Sequence, residues 1–435
     1  MKKYPKMKPS GVDWIGDVPE HWEVRKAARS FKIIGSGTTP KANNDEYYEQ
    51  GTVSWVLTGD LNDGILESTS KKISETAFND HSTLKIYPAG SLIIAMYGAT
   101  IGKTALLGIP ACTNQACCVL AESDFFEIRF VHFWFLSTKQ AIINLGYGGG
   151  QPNINQEIIK SLKISCPPHS EQTAIIAYLD RKTAQIDQAI SEKEGLIELF
   201  REERQAIINH AVTKGIRAGV KMKPSGVEWI GDVPEHWGAT VFKRVTSRIV
   251  VGIAEAATGS YVDKGVPIIR ATNIKEGKIS GELIQIEAAF AEKNESKAIK
   301  AFDIITVRTG YPGQSAVLPK ELDGAQCFTM LISSLKESQN PFFYNLYLNS
   351  HVGKEYFGLT AWGSAQKNIS VPILQDIPIP ILPFEEQNEI VEYLNQKTAQ
   401  IDIAISGIQQ EIALLQEYRQ ALIFEAVTGK VDVRE

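Results

Sequence analysis

Sixteen residues, Met7 to Trp22, return as Met222 to Trp237 with one change, Asp13 to Glu228. A second block, Glu171 to Thr213, matches Glu386 to Thr428 at the same offset of 215 without a gap, and 24 of its 43 positions are identical. Between these blocks the two halves have drifted far apart. Such a chain must fold as two copies of one frame, each carrying its own insert. A scaffold with approximate two-fold symmetry and unlike inserts suits a target with two unlike parts at a fixed separation.

Composition narrows the class. At 435 residues and 43% apolar, the chain can bury several cores and predicts two or more domains. Its first residues, Met1-Lys2-Lys3-Tyr4-Pro5-Lys6, begin like a signal peptide, but polar Lys8-Pro9-Ser10-Gly11 stands where an apolar core belongs. The longest apolar stretch, Phe125 to Leu136, is broken by Glu127, Arg129 and His132 and is too short to span a bilayer. The expectation is a soluble, cytoplasmic protein without a membrane partner. Five cysteines at irregular spacing predict neither a disulfide framework nor a metal site.

A net charge of −5 argues at first against nucleic acid. The excess acid sits in one place: residues 386–435 hold 4 Lys and Arg against 9 Asp and Glu, whereas 1–165 hold 17 against 16 and 221–385 hold 17 against 17. Either insert is therefore free to present a local basic face, and partner subunits can share the neutralisation of phosphate.

The block from Glu171 has the spacing of a long amphipathic helix. In its second copy Ile401, Ile405, Ile408, Ile412, Leu415 and Leu422 fall at intervals of 4, 3, 4, 3 and 7, a narrow coiled-coil seam whose skipped place holds Arg419. The first copy keeps the frame with Ile186, Ile190, Ile197, Phe200 and Ile207, while Lys193 and Arg204 fill the other places. Arg204 and Arg419 are equivalent, and each is expected to snorkel or to pair with a carboxylate. Proline-containing segments precede both helices, Ser170 is a candidate cap for the first, and Glu385 with Glu386 suits the positive end of the second. Gly215 and Gly429 lie near the ends. Two equivalent rods with such seams are expected to pack antiparallel on each other.

The inserts read as mixed α/β domains. Thr52 to Leu57 and Ser91 to Tyr97 are predicted strands, and Phe126 to Leu145 a helix ended by Gly146-Tyr147-Gly148-Gly149-Gly150. In the second insert 266–270 and 303–308 occupy matching places, and one helix is predicted near Pro341 to Phe357, leading to Thr360-Ala361-Trp362-Gly363-Ser364. Gly98 to Thr104 mimics a phosphate-binding loop but has three residues between its glycines where that motif needs four, so it reads as a glycine turn joining two strands. No catalytic cluster emerges, and His21 and His236, in the duplicated Pro-Glu-His-Trp, read as structural.

Duplicated in order, Pro-Ser-Gly-Val-(Asp/Glu)-Trp-Ile-Gly-Asp-Val-Pro-Glu-His-Trp, the strand-and-turn segments 53–61 and 266–274, Gln151-Pro152-Asn153-Ile154 with Gln366-Lys367-Asn368-Ile369, and Glu171-Gln172 with Glu386-Gln387 resemble the specificity subunit of a Type I restriction-modification enzyme over essentially the whole length. Gly35-Ser36-Gly37-Thr38-Thr39-Pro40 adds a family-like turn, from which the second insert departs with Gly252-Ile253-Ala254-Glu255.

That resemblance implies an α/β (α+β) fold in which two similar target recognition domains, 1–165 and 218–380, are separated by two long antiparallel coiled-coil helices in 166–217 and 381–435. It implies a non-catalytic subunit that binds double-stranded DNA, each domain reading one half of an asymmetric bipartite site while the helices set the spacer. Two methylation subunits carrying S-adenosylmethionine, and translocase/endonuclease subunits using ATP and Mg, would be its partners; this chain would hold no cofactor. Polar residues at loops and strand ends are the candidate contacts: Thr38, Lys41, Asn43, Lys71, Lys72, Tyr97 and Lys103 in the first insert, Arg270, Asn273, Lys275, Arg308, Tyr311, Gln314 and Lys367 in the second. The competing expectation is a coiled-coil scaffold without base readout, which gives no reason for the inserts to diverge.

Overall fold

Both repeated blocks fold as long helices, His169–Lys214 and Phe384–Val427. The protein is represented by a computed structural model that describes residues 2–146, 153–255, 258–275, 277–361 and 368–434. It divides into two compact units, Met1–Lys193 with Gln409–Glu435, and Glu194–Ile408. The division falls within both long helices. Each unit therefore owns one insert, the first part of one helix and the last part of the other.

Within the first unit the helix segments run antiparallel, because Asp187 meets Arg419 and Lys193 meets Glu411. Within the second, Arg204 meets Asp402 and Arg217 meets Glu389. The apolar seam drives this pairing. Ile186, Ile197, Ile401 and Leu422 are buried, and Ile190, Phe200, Ile207, Ile405, Ile408, Ile412 and Leu415 are half-buried. Each fully buried aliphatic side chain contributes about 1.5–3 kcal/mol.

The helix ends follow local chemistry. Ser170 lies inside the first turn and does not cap it, because the Pro168 carbonyl already accepts from the Glu171 and Gln172 amides. Pro383 plays the same part for Gln387, and Glu385 and Glu386 stand in the first turn of the second helix, where a carboxylate is favoured. At the far ends Gly215 and Gly429 take φ of 77° and 71°, which turns the chain out of the helix.

Each insert is closed at its base by a strand pair, Glu23–Lys26 with Lys163–Cys166 and Gly238–Val241 with Pro378–Ile381. In the first, a five-stranded sheet runs Ile33–Gly35, Cys117–Ala121, Leu92–Ala95, Thr104–Leu107, Ile65–Leu66, beside a three-stranded sheet ordered Cys112–Thr113, Val53–Val56, Lys71–Ile73. The second repeats this plan as Thr246–Val251, Leu331–Leu335, Ile304–Thr306, Ser315–Val317 and as Tyr261–Val262, Ile284–Ile286, Val266–Ile269, Gln326–Cys327. Leu92–Ala95 and Cys117–Ala121, inside the first large sheet, are buried on both faces, which explains their continuous apolar runs.

One core forms where insert and helix segments meet in each unit. In the first it includes Trp22, Phe130, Trp134, Ile175, Leu179, Leu422 and Val427; in the second, Ile208, Val212, Trp237, Phe343, Tyr344, Tyr347, Ile390 and Leu394. The helix expected over 341–357 is two, Pro341–Leu348 and His351–Thr360. Ser350 stops the first by capping the second, its hydroxyl accepting from the Gly353 amide. The Asn349 side chain meanwhile bonds the backbone of Ser315. Among the described residues no helix is long and apolar enough to cross a membrane.

Candidate nucleic-acid interface

The duplicated Pro-Glu-His-Trp does structural work. Glu171, buried at 6% exposure, accepts from His21 Nε2 at 2.7 Å, Trp22 Nε1 at 2.9 Å, Tyr4 Oη at 3.1 Å and Arg434 Nη1 at 3.2 Å. Burial opposes its charge, but the hydrogen bonds from Trp22, His21 and Tyr4 outweigh it, and its carboxyl is held below the usual range. In the second unit Glu386 accepts from His236 at 2.8 Å, while the buried Trp237 Nε1 has no partner. These clusters lock each insert's first turn to the start of a long helix. The five cysteines are all buried, and burial pushes the Cys117 thiol up to about 12, far from a reactive thiolate.

Above this frame each larger sheet turns through one glycine-marked hairpin loop, 96–103 or the one-residue-shorter 308–314. Ala95 pairs with Lys103 and Gly102, and Val307 pairs with Gln314 and Gly313, through matching backbone bonds. Gly98 and Gly310 take φ of 82° and 91°, and Gly102 and Gly313 take 73° and 93°, conformations that other residues rarely adopt. A Cβ at Gly102 would stand 3.0 Å from Lys139 Cγ, and one at Gly313 only 2.4 Å from Phe357 Cδ2. The Ile154 amide donates to the Met96 carbonyl and the Ile369 amide to the Arg308 carbonyl, at 2.9 and 3.0 Å. The repeated Asn-Ile thus pins both loops by the same bond.

The side chains on these corresponding loops differ. The first loop carries Tyr97 and Lys103; the second carries Arg308, Tyr311 and Gln314. Tyr97 is 36% exposed and Tyr311 71%, and Arg308 Nε donates to the Ile369 carbonyl, which holds its guanidinium at the loop base. Aromatic and amide groups held on a rigid turn suit base edges and backbone alike.

A second group gathers on the smaller sheet. Trp55 pairs in register with Lys71 and donates through Nε1 to the Thr38 carbonyl at 3.3 Å, so Thr38 and Lys71 abut one indole. Lys41, Asn43 and Lys72 are exposed on the same loop and strand. In the second insert Arg270 and Lys275 flank the turn after Val266–Ile269. Tyr97 and Lys103 belong to a different sheet from Thr38 and Lys71, and Arg308, Tyr311 and Gln314 to a different sheet from Arg270.

Asn273 is a correction. It is 3% exposed, and its amide is spent on the Arg270 amide and on the carbonyls of Ser280 and Glu282. Asp60 does the same for the Leu57 amide, so the segment places a turn-holding side chain here and not a DNA contact. Lys367, with Gln151, Pro152, Gln366, the turn at 147–150 and Trp362-Gly363-Ser364, lies outside the described residues. Sequence reasoning missed Lys278, which pairs in register with Lys275 across a tight turn; the Glu276-Gly277 pair between two lysines was the available signal.

A family model described as Type I restriction modification DNA specificity domain matches residues 19–195 and 254–414. The chain belongs to that family. The specificity subunit of the Type I restriction enzyme MjaVIII, from Methanocaldococcus jannaschii, is 24% identical over 427 residues, covering 96% of this chain and 94% of its own. That of EcoKI from Escherichia coli is 22% identical over 433 residues, covering 96% and 90%. Among solved structures, a chain from work on assembly and conformational transition of the type I R-M system aligns with a TM-score of 0.71 at 17% identity, over 95% of this chain and 99% of that one. The HsdS subunit of Thermoanaerobacter tengcongensis aligns at 0.52 and 17%, over 95% and 98%. The specificity-family fold therefore accounts for the mix of long helices and repeated α/β inserts. The matched frames and unlike loops are how this member carries it.

Proposed function

We propose that this chain is the DNA-reading subunit of a Type I restriction-modification complex, that it performs no catalysis itself, and that each insert reads one half of an asymmetric bipartite site. The observation that carries this reading is the pair of hairpin loops, 96–103 and 308–314, whose flanking glycines and anchoring bonds correspond while their lengths, by one residue, and their side chains do not. A binding module needs a constant support and a variable reader. The long helices, continuous through 46 and 44 residues, set the length of the unread spacer.

Two methylation subunits holding S-adenosylmethionine, and ATP-dependent translocase/endonuclease subunits, complete the complex in this reading. Leu199 and Leu414 are equivalent by the 215-residue offset and are 61% and 64% exposed, one on each helix. A matched pair of exposed leucines favours two identical partners.

The test is to exchange residues 23–165 for those of a relative and to map methylated adenines across the genome of the source cell. One half-site should change and the other persist. Loss of both halves, or methylation independent of this gene, would contradict modular reading.

A further inference from the structure

We propose that a recess in the second unit holds one backbone phosphate of the DNA duplex, an inference that rests on the reading above. Beyond Asn273 the chain forms a two-strand hairpin, Ile274–Lys275 with Lys278–Ile279. Its backbone is fixed from both sides. Asn273 Nδ2 donates to the Ser280 and Glu282 carbonyls at 3.0 and 3.2 Å, and Asn345 Nδ2 donates to the Gly277 carbonyl at 3.2 Å. Gly277, at φ 81°, makes the turn that sets Lys275 beside Lys278.

Arg204, from the long helix, joins the two lysines, Ser280 and Asp402 to line a recess of about 370 Å³. Among the described residues three cations face one carboxylate. Arg204 Nε stands 3.5 Å from Asp402 Oδ1 and is a buried donor with no hydrogen-bond partner. Neither lysine ammonium pairs with a carboxylate among the described residues. Native structures rarely leave a buried donor unspent, and a guanidinium N–H beside two ammonium groups and a hydroxyl matches a phosphate with several acceptor oxygens.

The first unit does not repeat this arrangement. There Arg419, the equivalent of Arg204, gives Nε and Nη2 to Asp187 at 2.8 and 3.1 Å. The matching hairpin positions hold Asn62, Ile65 and Glu67. The recess thus belongs to the second half of the target alone. A carboxylate ligand would need only one of the three cations, whereas the backbone of a duplex supplies phosphate with further charge on either side.

The experiment uses the full chain assembled with its methylation partners and compares wild type, Lys275→Ala with Lys278→Ala, and Asp402→Asn. Binding is measured against salt on a duplex carrying the mapped site and on a scrambled duplex. Removing both lysines should lower the slope of log affinity against log salt by about 1 to 2 on both duplexes and leave the preference between them unchanged. Asp402→Asn should tighten binding and not lower the slope. An unchanged slope and affinity in the lysine variant, with its thermal melting intact, would overturn the phosphate assignment and leave DNA reading standing. A lost preference at one base pair would also overturn it, because the lysines would then read bases. If wild type preferred neither duplex, the reading of the whole chain would fail, and the slope on the scrambled duplex would still decide the recess.

Discussion

Arg419 donates through Nε and Nη2 to both carboxylate oxygens of Asp187, at 2.8 and 3.1 Å. Arg204 and Asp402 are the same two residues one repeat away, and they stand at 3.5 Å without a hydrogen bond. The repeated pair is therefore unequal in its two copies. A double-mutant cycle with Arg419→Gln and Asp187→Asn should give a coupling of up to about 1 kcal/mol in chemical denaturation, the usual ceiling for a partly exposed pair. The Arg204 and Asp402 cycle should give less. Equal couplings would remove the asymmetry on which the phosphate recess depends.

Glu171 and Glu386 differ in the same way. Four donors converge on Glu171, and its carboxyl is held low, so its contribution is present above the ordinary carboxylate range and fades as pH falls through the depressed value. Glu171→Gln removes the carboxylate on which Trp22, Tyr4 and His21 converge, while Arg434 keeps Asp432, and should cost on the order of 2 kcal/mol. Glu386→Gln, which weakens the bond from His236, should cost about 1 kcal/mol. Chemical denaturation of the two variants at neutral pH ranks them, and the reverse order would contradict this account.

His132 makes stability depend on pH. Its ring is 7% exposed and bonds Thr104 Oγ1 at 3.2 Å, and burial holds its pKa down to about 4 from 6.5. The unfolded chain takes up a proton below 6.5 that the folded chain refuses until about 4. Stability therefore falls as pH drops through that window and levels off beneath it, by on the order of 3 kcal/mol in all. His132→Gln should flatten the part of the profile between pH 6.5 and 4, as read from thermal melting at fixed ionic strength. A profile unchanged by the substitution would mean that the ring is not neutral in the folded chain.

Leu199→Asp and Leu414→Asp test the exposed helix positions. Each change lies on a solvent-facing site and should alter stability by no more than about 0.5 kcal/mol. Each should weaken association with methylation partners, and the double variant should bind none, as read by analytical ultracentrifugation of mixed subunits. Unimpaired assembly would place the partner contacts elsewhere.

What the amino-acid sequence determined by itself was the frame: two copies and their long helices. Exact repetition and heptad spacing are local or periodic signals, and a seam such as Ile401 to Leu422 reads the same in any context. The glycine turn at 98–104 was legible too, because loop length alone separates it from a phosphate-binding loop. Tertiary structure decided which polar residues are available. Asn273 and Arg270 are three positions apart and look alike in sequence, yet one is consumed in holding its own turn while the other keeps a buried nitrogen without a partner. Only the tertiary structure set Arg204 of the long helix beside Lys275 and Lys278 of a hairpin. Their positions are some 70 residues apart in the chain, and no local spacing encodes a meeting that depends on how the insert packs against its helix.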